Sequence, residues 1–324
     1  MIGYYVHHHG RGHLHRAMSI ARELNDYVTG LSTLPRPALW IGEWVQLDPD
    51  DQADTVSDPE AGGHLHWAPE RDPGISRRAA QLSAWLDSAR PSAFVSDVSV
   101  EAALLARLHG VPVVSVALPG VRTDAAHELG YGISRAIIGA WPSHALGMLH
   151  SDSAHRSLAP VGAISRFPVI DTPAPTERKV LVLSGAGSAR ADAFPIETAQ
   201  RETPGWEWQV LGTGSWSDEP WSRIRDASVI ITHAGQNALA EVAAARRPAI
   251  VVPSSRPFDE QVTTAGVLAA GPWPVVVRHE MPASGWRGLL EEAATLDGMA
   301  WSSWNDGHGA ERAARIIESA AQVA

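Results

Sequence analysis

Short apolar runs and amphipathic stretches alternate along nearly the whole chain. Residues 2–6, 91–97, 111–116, 180–183, 207–211, 229–231 and 249–252 are short and mostly apolar, as strands covered on both faces are. Residues 13–25 place Leu14, Ala17, Met18, Ala21 and Leu24 on one helical face. Residues 76–88 do the same with Ala79, Leu82, Trp85 and Leu86. Residues 98–109 and 236–245 also read as helices, the second stopped by Pro248, and residues 307–323 form a last one after Trp301 and Trp304. Further strands are predicted at 44–47 and 64–67, and a loop with a helix over 118–139. Strand and helix in turn mean parallel sheets covered by helices. A Pro- and Thr-rich linker over residues 168–178 separates two such units.

Composition narrows the function. A length of 324 residues suffices for two α/β domains. The net charge of −10 disfavours nucleic acid or an anionic membrane as the main partner, because no overall basic field attracts them. The absence of cysteine removes disulfides and thiolate metal sites. No secretory leader and no membrane-length apolar run is legible, so a cytoplasmic location is expected. The 13 tryptophans read first as core filler.

Residues 229–261, VIITHAGQNALAEVAAARRPAIVVPSSRPFDEQ, read as strand, tight turn, helix, strand and acidic loop. The helix of such a unit opens at the carboxyl edge of the sheet, where ligands bind. Its free N–H groups and dipole attract an anion. Gly235 lets a phosphate approach the backbone, and His233 can donate to a phosphate oxygen. Asn237 lies in the first turn, with Glu241 on the same face. Glu241 is roughly 9 Å along the axis from Gly235, within reach of a ribose whose two hydroxyls a carboxylate accepts well. Glu260 and Gln261 follow the next strand at the same edge, placed for the hydroxyls of a hexose. Any one of these residues also fits an ordinary βαβ unit; five in register fit a nucleotide-diphosphate sugar better.

The pattern H-x-G-x-N-x-x-x-E, then R-P, then P-S-S-R-P-F-D-E-Q, resembles the donor-site signature of GT-B glycosyltransferases. It is most similar to the UDP-glycosyltransferases and the glycosyltransferase family 28 C-terminal domain. The resemblance implies that His233 and Asn237 hold phosphates, Glu241 the ribose, and Glu260 and Gln261 the donor sugar. Gly235, Gln236 and Asp259 belong to the same donor-binding segment. Ala238 stands where Ser or Thr is common, and Gln236 where Trp is common, so one phosphate contact is missing or comes from backbone. Ser184, Gly185, Gly187 and Ser188 make a small loop that resembles the family's G-G-S-G loop and reads equally as a tight turn.

The first strand runs into HHHGRGHLHR, residues 7–16. Consecutive histidines at a strand end are expected to point in alternating directions, and no acidic residue lies among them, so no metal is expected. Gly12-His13 resembles the Gly-His that follows the first strand in the same families. The resemblance makes His13 the general base for the acceptor hydroxyl, a task that suits imidazole. Asp97, ending a strand before a helix, matches the family Asp that pairs with that His; by position it also reads as the N-cap of its helix. Gly12, Arg16 and Arg122 are expected on the acceptor side.

The resemblance thus implies an α/β fold of GT-B type: two Rossmann-like, doubly wound parallel-sheet domains facing across a cleft. Residues 1–167 would bind acceptor and residues 179–306 donor, with helix 307–324 crossing back to the first domain. The implied reaction is inverting, metal-independent and cofactor-free transfer of a sugar from a nucleotide-diphosphate sugar, UDP first, to a small molecule, glycan or lipid-linked sugar. Peripheral contact with the inner membrane face would accompany the last. Two alternatives stay open. A GT-B-like nucleotide-sugar hydrolase is suggested by G-x-G-H-x-x-R, in which Arg16 matches the Arg. The other is a non-catalytic nucleotide-sugar binder.

Overall fold

The computed structural model describes residues 1–184, 194–212 and 220–322. The N-terminal domain runs β1 (Ile2–Val6), α1 (Arg11–Glu23), β2 (Val28–Ser32), β3 (Glu43–Gln46), α2 (Pro73–Ala89), β4 (Ala93–Asp97), α3 (Val100–Leu108), β5 (Val113–Ala117), β6 (Gly120–Val121), α4 (Ala125–Gly132), β7 (Ala136–Gly139), β8 (Leu149–His150) and β9 (Leu158–Pro160). Seven of these strands form one parallel sheet in the order β3-β2-β1-β4-β5-β7-β9. The C-terminal domain runs β10 (Lys179–Leu183), α5 (Ile196–Glu202), β11 (Glu207–Leu211), α6 (Trp221–Asp226), β12 (Val229–Thr232), α7 (Gln236–Ala244), β13 (Ala249–Val251), α8 (Glu260–Ala270), β14 (Val275–Val277) and α9 (Trp286–Ala294). Its five-stranded sheet has the order β11-β10-β12-β13-β14. The last helix, α10 (Gly309–Ala321), carries Ala313 and Ile317 into the core around Ile2, Tyr4 and Val6, beside α1.

Both sheets are buried on both faces. Along β1, Ile2, Tyr4 and Val6 join one core cluster, while Tyr5 joins another with Leu31, Leu82 and Phe94. Along β12, Val229 and Ile231 pack on one side and Ile230 on the other. Trp141, Trp286 and Trp301 are fully buried, as core filler should be. Among the described residues no helix is long and apolar enough to cross a membrane.

The order of strands decides where the site lies. After β1 the first sheet grows one way through β2 and β3, then restarts on the other side at β4. The second sheet does the same between β10 and β12. At such switch points the loops beyond the strand ends diverge and leave a crevice. In register, Val6 pairs with Asp97 and Leu183 with Thr232, so the loops after these strands leave the two sheets side by side.

Several elements differ from the sequence pattern. Residues 64–67 are turns rather than a strand: Gly62 and Gly63 have φ of 65° and 86°, and three amides, of Gly63, His64 and Leu65, converge on the Glu60 carbonyl. Ala79 is exposed, and Arg78 is the buried residue there, its charge matched by Asp50. Helix α1 begins at Arg11 and has Gly10 at its N-cap. The cap of α3 is Ser99, whose hydroxyl accepts the Ala102 N–H at 3.2 Å, which leaves the Asp97 side chain for other partners.

Candidate active site

Asp97 ends β4 and is wholly buried. Val98 follows with φ 80°, an outlier for a β-branched residue, so the chain turns sharply just past the carboxylate. His13 and Arg16, one turn apart on α1, both reach Asp97. His13 Nδ1 lies 2.8 Å from Oδ1. Arg16 donates through Nε to Oδ2 at 3.1 Å and through Nη2 to Oδ1 at 2.6 Å. Burial alone would push the Asp97 carboxyl up; the Arg16 charge and the His13 contact override it and hold the group well below the usual carboxylate range. The ionised carboxylate only accepts, so His13 Nδ1 carries the proton it donates, and Nε2 keeps its lone pair. Arg16 Nη2, 3.0 Å from the same imidazole nitrogen, is a second donor converging on Oδ1. Arg16 also reaches the other domain, donating through Nη1 to Gln236 Oε1 at 3.2 Å.

Helix α7 opens opposite. Gly235 is its N-cap, and among the described residues no side chain caps the first turn, which leaves its leading N–H groups for a ligand. The His233 ring folds back over this terminus. Nδ1 accepts the Gly235 N–H at 2.9 Å and lies 3.3 Å from Gln261 Nε2. A Cβ at position 235 would collide with this ring, which requires glycine. Burial, helped by the Arg256 charge, lowers His233 to about 4, so the ring is neutral with its proton on Nε2. Gly12 meets Asn237 directly, since a Cβ at Gly12 would overlap the amide. The loops after β1 and β12 are thus in contact across the crevice.

Glu241 is buried one turn beyond Asn237. Its Oε1 accepts from Arg166 Nε at 2.8 Å. Burial raises its pKa more than Arg166 lowers it. Arg166 precedes the linker, and sequence reasoning missed this pairing; an isolated arginine in a coil carries no signal of its partner. Gln261 is buried and accepts the Ser254 N–H at 2.9 Å, which ties the loop after β13 to His233. Glu260 is half-buried, 3.9 Å from Arg122, and Asp259 is exposed before α8. Ser184 leaves β10 next to Thr232 and His233 around a small cleft. Gly185, Gly187 and Ser188 lie outside the described residues.

The histidines do not alternate. β1 ends at Val6, and the chain turns so that the His7 and His8 rings stack at 5.1 Å and His8 meets His9 at 4.2 Å. Among the described residues, two groups bring three metal-capable atoms together: His7, His8 and His9, and His66, Asp124 and His127. In the second, Arg122 Nη1 donates to His127 Nε2 at 2.9 Å. The His127 proton is therefore on Nδ1, given to Asp124 Oδ2 at 2.6 Å, and closes that nitrogen to a cation.

Residues 175–269 match the model of the glycosyltransferase family 28 C-terminal domain. No curated protein matches the chain in sequence. Among solved structures, MurG of Acinetobacter baumannii superposes with a TM-score of 0.64 at 15% identity, covering 98% of this chain and 99% of that one. The glycosyltransferase SnogD from Streptomyces nogalater gives 0.62 at 17% identity, covering 99% of each chain. Phytolacca americana UGT2, complexed with UDP-2fluoro-glucose and pterostilbene, gives 0.57 at 16%, covering 99% of this chain and 93% of that one. At such identities the likeness is one of fold, and the donor-domain match adds the family signal. The chain has the GT-B fold, and residues 175–269 in its second half match the glycosyltransferase family 28 C-terminal domain.

Proposed function

We propose that the protein transfers a sugar, with inversion and without a metal, from a nucleotide-diphosphate sugar, UDP first, to an acceptor hydroxyl. The observation that carries this reading is the His13–Asp97 pair, whose Nε2 has no partner among the described residues, together with the start of α7, uncapped among the same residues. His13 takes the acceptor proton as the hydroxyl attacks the anomeric carbon. Asp97 orients the imidazole and stabilises the imidazolium, and Arg16 keeps Asp97 ionised. The leading N–H groups of α7 and the neutral His233 Nε2–H meet the charge that develops on the departing diphosphate.

The test is thermal unfolding against nucleoside diphosphates and their sugars. A ligand at about a hundred times its dissociation constant adds about 2.7 kcal/mol, so the right base raises the midpoint visibly. No shift with any base would remove the donor assignment. Release of free sugar without acceptor, at the rate of donor consumption, would favour the hydrolase reading over transfer.

Glu241 supplies a second check. Arg166 takes one carboxylate oxygen and leaves the other for ribose. Glu241→Ala is expected to weaken nucleoside diphosphate binding by about 1.5–3 kcal/mol, the range for hydrogen bonds to a charged group. Equal affinity by calorimetry would remove Glu241 from the ribose site.

A further inference from the structure

A cavity of about 270 Å³ reaches from His7 into the N-terminal domain, and its floor is aliphatic, from Ile75, Leu82 and Leu105. The charged groups on its wall all have partners. Asp50 pairs with Arg78. Glu101 accepts the backbone N–H groups of His66 and Trp67 at 2.8 and 3.1 Å. Arg122 is held by the Pro119 carbonyl and by His127. Arg78 Nε, in a buried residue of this wall, has no hydrogen-bond partner among the described residues.

Among the described residues, one lining side chain comes from the other domain: Phe258, in the loop between β13 and α8. Its φ of 60° and ψ of 24° are left-handed, rare for a bulky residue, and Asp259 follows with φ 54°. The first domain holds this turn. The Phe258 carbonyl lies where a Cβ on Gly120 would be, its ring is edge-on to His127 at 4.7 Å, and the Arg122 guanidinium sits 4.8 Å over its face. A strained backbone kept in place by its surroundings is common at ligand clamps.

We propose that Phe258 is a specificity-determining residue which, projecting from the donor domain, closes the acceptor cavity around a flat, uncharged acceptor of one or two rings. This rests on the glycosyltransferase reading. The volume lies just below the roughly 300–1,000 Å³ of pockets for drug-sized ligands. An aliphatic floor favours a ring, and the matched charges leave no cation for a diphosphate. Arg78 Nε suits an ether, carbonyl or hydroxyl oxygen on the ring. Asp259, Glu260 and Gln261 follow Phe258 in the chain, so the acceptor wall and the donor-side loop are one continuous segment.

The experiment is calorimetric titration of the full chain with umbelliferone, oestradiol and farnesyl diphosphate, and with UDP alongside. Wild type is expected to bind umbelliferone about tenfold or more tightly than the other two. Phe258→Ala should shift the umbelliferone-to-oestradiol ratio about tenfold towards oestradiol and leave UDP affinity unchanged. Phe258→Gly, which also relieves the left-handed strain, provides the same readout if the alanine variant does not fold. Preference for farnesyl diphosphate, or an unchanged ratio in the variants, overturns the proposal. If UDP binds and umbelliferone does not, the cavity assignment falls and the transferase reading stands; if umbelliferone selectivity shifts as stated and no nucleotide binds, the reverse holds.

Discussion

Replacing His13 with alanine is expected to lower turnover by about 10²–10⁴-fold, the usual contribution of a positioned general base, with nucleoside diphosphate binding unchanged. The imidazole donates through Nδ1 to a carboxylate 2.8 Å away and has Nε2 for the acceptor proton. Donor-side groups come from other elements, α7 and the loop after β13, so binding should survive the substitution. Initial rates at saturating donor, together with calorimetry using the diphosphate, separate the two effects. Turnover equal to wild type would remove His13 as the base. Loss of both turnover and binding would mean that the residue holds the crevice together instead.

Arg16→Leu is expected to destabilise the fold by about 3–5 kcal/mol near neutral pH, the cost of leaving a buried charge without its partner. Asp97 has no exposure, and Arg16 supplies two hydrogen bonds and, among the described residues, the one arginine charge placed directly on it. The dependence on pH follows from the direction of the shift. In the wild type the folded pKa of Asp97 is depressed, so the pair's contribution is fully present above the unfolded value of about 3.9 and is lost as pH falls below it. In the variant, burial is opposed by the His13 contact alone and is expected to raise the folded pKa above the unfolded one. The penalty is then relieved as pH falls towards that raised value. Urea midpoints at about pH 7 and about pH 5 should show the gap from wild type narrowing at the lower pH. A gap of the same size at both would show that Arg16 acts by packing alone. Arg16→Leu combined with Asp97→Leu should recover most of the loss, because no charge is then left buried.

Legibility followed the range of the forces involved. β1, β4, β10 and β12 are visible as apolar runs because a strand covered on both faces must be apolar throughout. Helices α1 and α7 begin within two residues of where their patterns place them. Residues 64–67 misled because alternating His and apolar residues imitate a half-buried strand, while two glycines with positive φ turn the chain first. The histidines of residues 7–9 misled for a related reason: the alternation rule ends where the strand does, at Val6. Phe258 stood in plain view between Pro257 and Asp259, yet nothing local marks an aromatic in an acidic loop as the wall of a cavity in the other domain.

The sequence by itself determined the alternation of strand and helix, the two crevice loops, and the residues offered there: His13 and Asp97 on one side, and His233, Asn237 and Glu241 on the other. These follow from local periodicity and from turns a few residues long. Only the tertiary structure decided how they are coupled. Arg16 clamps Asp97 from 81 residues away and touches Gln236 from 220, Arg166 claims one oxygen of Glu241 across 75, and Gln261 steadies His233 across 28. Such pairings depend on which strands become neighbours, and that order is a property of the assembled sheets. Burial decided the charge states as well. Asp97 stays ionised because an arginine is buried with it, and His233 stays neutral because its ring is buried and the Arg256 charge also disfavours the imidazolium.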